Sequence, residues 1–112
     1  MTTREEAVSF GLSFPGSYRD EPFHDANWTV IRRHGSKRIF LCIYERHGQI
    51  WLNVKCDPEW GQVWRNAYEA IRPAYHMNKE HWISVILNGT VPDSEIKRLI
   101  IESYELVDSG GK

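Results

Sequence analysis

The sequence has no apolar run of the roughly eighteen residues that a membrane-spanning helix needs. It does not open with a basic stretch followed by an apolar one, so no secretory leader is expected. The expectation is a cytoplasmic protein with no membrane partner. Cysteine is scarce: Cys42 and Cys56 are the only two, and they do not form a Cys-x-x-Cys pair. Each lies in or beside an apolar strand pattern, so buried free thiols are expected rather than a disulfide or a metal site. Charge of one sign is missing too. The 14 Lys and Arg residues against 15 Asp and Glu leave a net charge of -1, so no long-range field draws the whole molecule to nucleic acid or an acidic membrane.

Motifs of catalysis are also absent. The eight glycines are scattered singly or lie at the tail, and none belongs to a phosphate loop, a dinucleotide fingerprint or a Gly-x-Ser-x-Gly elbow. His76 and His81 are separated without a His-Glu-x-x-His pattern, and no carboxylate completes a zinc triad. A thiol at Cys42, in the middle of an apolar strand, would hold little thiolate at neutral pH. No enzyme, cofactor or metal is therefore expected.

What the chain does contain is material for one core. Its 112 residues suit a single domain over 1–112, and 41% are hydrophobic, with five tryptophans. Thr3 followed by Glu6 is a capping box, so the first helix is expected over 4–12, with Ala7, Val8, Gly11 and Leu12 on one face. Phe14-Pro15-Gly16 ends it, and the polar stretch over 17–26 reads as a loop. Three β-branched and aromatic runs follow at 28–33, 38–44 and 49–55, joined by short glycine-containing gaps that predict antiparallel hairpins. The middle run is apolar on both faces. In the third, Ile50, Leu52 and Val54 share one face, a pattern suited to helices on a single side of the sheet.

Asp57-Pro58 starts a second helix over 58–69 with a stripe of Trp60, Val63, Trp64 and Ala67, and Gly61 inside it reads as a close-packing point. A short strand is expected over 74–77, a turn at Asn78-Lys79 and a strand over 82–87. Pro92-Asp93 opens the last helix, whose inner face carries Ile96, Leu99, Ile100, Ser103 and Val107, before a frayed tail over 109–112. The fold class is α+β: two layers, an antiparallel sheet with helices on one face, in the order α-β-β-β-α-β-β-α.

The run Pro73-Ala74-Tyr75-His76-Met77-Asn78-Lys79-Glu80-His81-Trp82, then Gly89-Thr90-Val91-Pro92-Asp93-Ser94-Glu95 and Ser103-Tyr104, resembles the C-terminal signature of the MmcQ/YjbR family. Leu12-Ser13-Phe14-Pro15-Gly16 with Glu21-Pro22-Phe23 is similar to its N-terminal signature. The resemblance implies a two-layer fold like that of type III secretion chaperones. It also implies DNA binding through a double wing of hairpins.

Two surfaces are candidates for binding. Between residues 27 and 50 stand Arg32, Arg33, Lys37, Arg38 and Arg46 against one carboxylate, Glu45, a local +4 in a chain of -1. Such hairpins suit the phosphates of double-stranded DNA. The same residues also keep exposed strands soluble, and that reading stays open beside the first. Strand alternation sends Arg32 and Arg33 to opposite sides. The second surface is His76, Asn78, Lys79, His81 and Trp82. These mixed donors and an indole suit a ligand, or else Asn78 makes the turn, Trp82 fills the core and the histidines bond to backbone. The function expected is a non-catalytic module that binds DNA phosphates with weak sequence preference. The alternatives are a chaperone-like protein-interaction module or a small-ligand binder.

Overall fold

The computed structural model describes residues 1–108, so the tail over 109–112 lies outside the described residues. Three helices, α1 (Arg4–Leu12), α2 (Pro58–Ala67) and α3 (Asp93–Leu106), accompany one six-stranded antiparallel sheet. Its strands are β1 (Ser17–Asp20), β2 (Thr29–Arg33), β3 (Arg38–Arg46), β4 (Gln49–Lys55), β5 (Ile71–Pro73) and β6 (Trp82–Ile86). They lie side by side in the order β1-β2-β3-β4-β6-β5. The α+β class and the helix and strand sequence agree with expectation, with one strand added at the front.

The helix starts follow from local chemistry. Thr3 and Glu6 form the reciprocal capping box, and the Asp57 carboxylate accepts from the Glu59 amide ahead of Pro58. Among the described residues no helix is long and apolar enough to cross a membrane. All three helices cover the face formed by Ile31, Leu41, Leu52, Val54 and Ile83. At Gly11, α1 comes so near that an added Cβ would meet Leu41 Cδ2 at 2.9 Å. Gly61 of α2 is buried near Ile83, but an added Cβ would meet Ile83 Cγ2 and Arg65 Nη1 at 3.4 Å, an ordinary contact, so the packing there does not require glycine. Ile96, Leu99, Ile100 and Ser103 of α3 are buried, with Val107 beyond its end.

Several expectations need correction. The stretch over 17–26 is not all loop: its first four residues pair with β2, from Ser17 opposite Arg33 to Asp20 opposite Val30. This strand is polar because it sits at the sheet edge, and an ion pair of 2.8 Å from Arg32 to Asp20 ties it down. The short strand lies at 71–73, earlier than the 74–77 expected. Helix α2 stops at Ala67, and it buries Gly61 and Trp64 while Trp60 and Val63 stay 56% and 54% exposed. Leu12 is likewise exposed, and Ile50 is half-buried where Leu52 and Val54 are fully buried.

An irregularity in β3 explains the placement of Ser103. Ile31 pairs with Leu41 and Arg32 with Ile39, so Phe40 is an extra residue, a bulge that swings β3 away from β4. The hydrogen bond that would close that ladder is replaced by a side chain. Ser103 Oγ accepts from the Lys55 amide at 2.8 Å and donates to the Phe40 carbonyl at 2.6 Å. Phe40 and Tyr104 pack at 5.1 Å beside it. Replacing Ser103 by Ala would leave a buried donor and a buried acceptor unpaired. We expect Ser103→Ala to lower unfolding free energy by about 1–3 kcal/mol, read from urea denaturation with an unchanged slope.

Candidate functional site

The face of the sheet turned away from the helices is not left to solvent. Cys42, Tyr44, Trp51, Asn53 and Ser84 point there, and all five are buried. Three of them share one polar cluster. Tyr44 Oη donates to Asn53 Oδ1 at 2.7 Å, and Ser84 Oγ donates to the same oxygen at 2.6 Å. The cluster then reaches outward: Asn53 Nδ2 donates to the Tyr75 carbonyl at 2.9 Å, and the Tyr75 amide donates to Ser84 Oγ at 2.9 Å. Side chains thus satisfy the backbone of Tyr75, which is why the chain after β5 leaves the ladder and crosses this face. Burial pushes the Tyr44 phenol up to about 12 and the Cys42 thiol up to about 12, so both stay protonated near neutrality.

An aromatic layer lies over the cluster. Trp28 stacks on Tyr44 with centroids 4.1 Å apart and rings 12° from parallel, and Tyr75 stacks on Tyr44 at 5.7 Å. Asn27 fixes the approach of Trp28, since its side chain accepts from the Glu45 amide at 2.7 Å and donates to the Glu45 carbonyl at 2.9 Å. Arg46 closes the far side, its guanidinium 4.1 Å from the Tyr75 ring centre and 4.7 Å from that of Trp51. The Trp51 indole N–H is buried without a hydrogen-bond acceptor among the described residues.

Two hollows open on this face. The larger, about 680 Å³, is lined by Arg46, Arg72, Lys79, His76, Asn78, Trp51 and Tyr75, and among the described residues no carboxylate borders it. The smaller, about 350 Å³, is an apolar slot between Phe23, Trp28 and Met77, floored by Cys42 and edged by Asp25 and His76. Met77 is held there by the buried thiol, with Cys42 Sγ 3.8 Å from Met77 Sδ. His76 stands between the hollows in a left-handed conformation, φ 61°, with its ring 4.1 Å from that of Tyr75.

The structure divides the basic residues singled out in the sequence. Arg33 turns to the helix side, stacking at 4.1 Å on Tyr104 and donating to its carbonyl at 3.0 Å. Arg32 turns the other way and is occupied by Asp20 and by the Lys37 carbonyl. Lys37 is exposed in the β2-β3 turn, beside Arg38 at the start of β3. Arg46 ends the same nine-residue strand, so about 26 Å separates the two turns. The five cations therefore form no single patch. Arg46 instead joins His76, Asn78 and Lys79 of the second surface. His81 does not: its carbonyl accepts from the Cys56 amide and its ring lies near Glu80. Trp82 is half-buried on the side of Ser84 and does not fill the core, contrary to expectation. Asn78 does make the turn, its Oδ1 accepting from the Glu80 and His81 amides.

Sequence reasoning missed Trp28, Tyr44, Trp51, Tyr75 and Arg72, and also the slot at Phe23. The signal was available in part, since β3 is apolar on both faces and a second buried face needs a cover. Removing the hydroxyl that holds the cover tests this arrangement. In Ser84→Ala we expect the Tyr75 amide to exchange with solvent deuterium at least about tenfold faster, as its acceptor is gone, while amides of α3 keep their protection.

Comparison with known proteins places these features in a family. The YjbR family model matches residues 12–106. The uncharacterized protein YyaQ of Bacillus subtilis is 37% identical over 117 residues, covering 95% of this chain and 98% of that protein. The uncharacterized protein YjbR of Escherichia coli is 28% identical over 103 residues, covering 92% of this chain and 85% of that one. Among solved structures, a Deinococcus radiodurans protein superposes with a TM-score of 0.87 at 34% identity, over 96% of this chain and 79% of that chain. A Pseudomonas syringae protein superposes with a TM-score of 0.84 at 26% identity, over 95% of this chain and 99% of that chain. The signatures around His76 and Phe14 thus belong to a fold matched along nearly its whole length, and this chain is a member of the YjbR family.

Proposed function

We propose that this protein is a non-catalytic binding module that holds the phosphate backbone of nucleic acid in the cationic hollow beneath the β3-β4 turn, with weak preference for base sequence. The observation that carries this reading is the lining of that hollow, where Arg46, Arg72 and Lys79 meet His76 with no carboxylate of the described residues beside them. Arg46 is already ordered on two rings, so it loses less freedom on meeting a phosphate than a free surface arginine would. Arg72 is exposed and oriented by one bond from Nε to the Glu69 carbonyl at 2.7 Å. The Asn78 side-chain amide adds a neutral donor. A cytoplasmic location suits such a partner. With a whole-chain charge of -1, affinity belongs in the range of non-specific binders, about 10⁻⁴–10⁻⁶ M near physiological salt.

A titration of a labelled oligonucleotide by fluorescence anisotropy at several salt concentrations tests the site. Arg72→Ala/Lys79→Ala should reduce the dependence of log affinity on log salt by about two units, one for each phosphate that is no longer neutralised. Lys37→Ala, at the other end of β3, should leave it unchanged. Absence of wild-type binding at low salt, or an equal reduction from Lys37→Ala, removes this reading.

One observation favours a second reading, a protein-contact module. Trp60 and Val63 are exposed one turn apart on α2, and Trp60 shares a hollow with Leu106 of α3. An apolar contact of this kind is insensitive to salt. Its expected signature is a partner retained on immobilised protein at high salt and released from the Trp60→Ser/Val63→Ser variant.

A further inference from the structure

We propose that the apolar slot walled by Phe23, Trp28 and Met77 receives one unpaired nucleobase of a single-stranded nucleic acid whose adjoining phosphate lies in the cationic hollow. The inference rests on the phosphate-binding reading above and assigns it a strand type. Three observations carry it. The slot and the hollow are neighbours with common walls, since His76 and Met77 line both. Their chemistry is divided as base and phosphate are divided. Among the described residues the hollow carries only cationic charge, whereas the slot is apolar with one carboxylate, Asp25, which would repel a phosphate and accept from a base N–H.

The slot also has the form of a stacking site. Trp28 is backed by Tyr44 at 4.1 Å and so presents a ring that cannot retreat. Phe23 stands edge-on to it at 5.9 Å and is 55% exposed, an aromatic ring left at the surface beside a cavity. The space of about 350 Å³ is at the small end of the range for ligand pockets, about 300–1,000 Å³, and suits a single ring system. A paired base cannot enter it, because its faces are covered by its neighbours in the duplex. Base stacking on aromatic side chains tolerates any base, which agrees with weak sequence preference.

The test compares four ligands at one salt concentration: a single-stranded 12-nucleotide DNA, the same length with abasic sites throughout, the corresponding duplex, and a nucleoside monophosphate. The probes are labelled oligonucleotides read by anisotropy, with the monophosphate measured by calorimetry. The single strand should bind about 5- to 100-fold more tightly than the abasic strand of equal charge, the effect of stacking one base. Phe23→Ala, at an exposed position that does not support the core, should remove that advantage and leave binding of the abasic strand unchanged. Equal affinity for normal and abasic strands overturns the base slot but leaves the phosphate reading standing. Failure of every ligand at low salt overturns both. Saturable monophosphate binding that Phe23→Ala abolishes, with no gain for the oligonucleotide, keeps the base-and-phosphate chemistry but assigns it to a free nucleotide, overturning the single-strand source.

Discussion

The arrangement of the whole sheet face turns on one buried oxygen, Oδ1 of Asn53, which accepts from Tyr44 and Ser84 at once. A carboxamide in the middle of a sheet is costly unless all its groups are paired. Here the remaining donor, Nδ2, takes the Tyr75 carbonyl, and Ser84 completes the set by accepting the Tyr75 amide. Pairing this amide with backbone from across the face draws a loop over what would otherwise be an apolar sheet open to water. The aromatic stack, the position of Arg46 and the division into hollow and slot all follow from where that loop is pinned.

Ser103 does on the helix side what Ser84 does on the other. Each hydroxyl accepts one backbone amide and bridges groups that the ladder leaves unpaired. One binds α3 to the bulge in β3, and the other binds the loop to β6. Helix α3 and the loop are therefore attached to the sheet by directional bonds as well as by packing, and this fixes their register on it. The helix layer bears on stability, while the loop layer presents the polar groups available to a ligand.

Much of the fold was legible because it rests on local rules. The Thr3 capping box, the Asp57-Pro58 start and the hairpin with His47-Gly48 need only neighbouring residues, and the spacing of Ile96, Leu99, Ile100 and Ser103 needs only helical periodicity. What failed depended on distant partners. The strand at Ser17–Asp20 is recognisable only when Arg32 is known to face Asp20, and Trp82 reads as a core residue only while the face it shares with Ser84 is taken for the one that the helices cover. The site was half legible. Polar density marked His76, Asn78 and Lys79, and charge marked Arg46, but their meeting requires a loop held by Asn53, which is remote in sequence from the residues it orders. Consecutive hairpins of a meander turn at opposite ends, so charge counted along the chain merged Lys37 and Arg46 into a patch that geometry separates.

The borders of the sheet determine how copies of this molecule can meet. One border is β5, three residues long and ending at Pro73, which has no amide proton to offer. The other is β1, four residues carrying Arg19 and Asp20, with Arg19 paired to Glu21. Neither offers the long, flat row of free amides and carbonyls that recruits a neighbour's strand. A six-stranded sheet is thus protected against fibre-like stacking by the shortness of its outermost strands, and its long central strands, β3 and β4, are never at a border where another molecule could template on them.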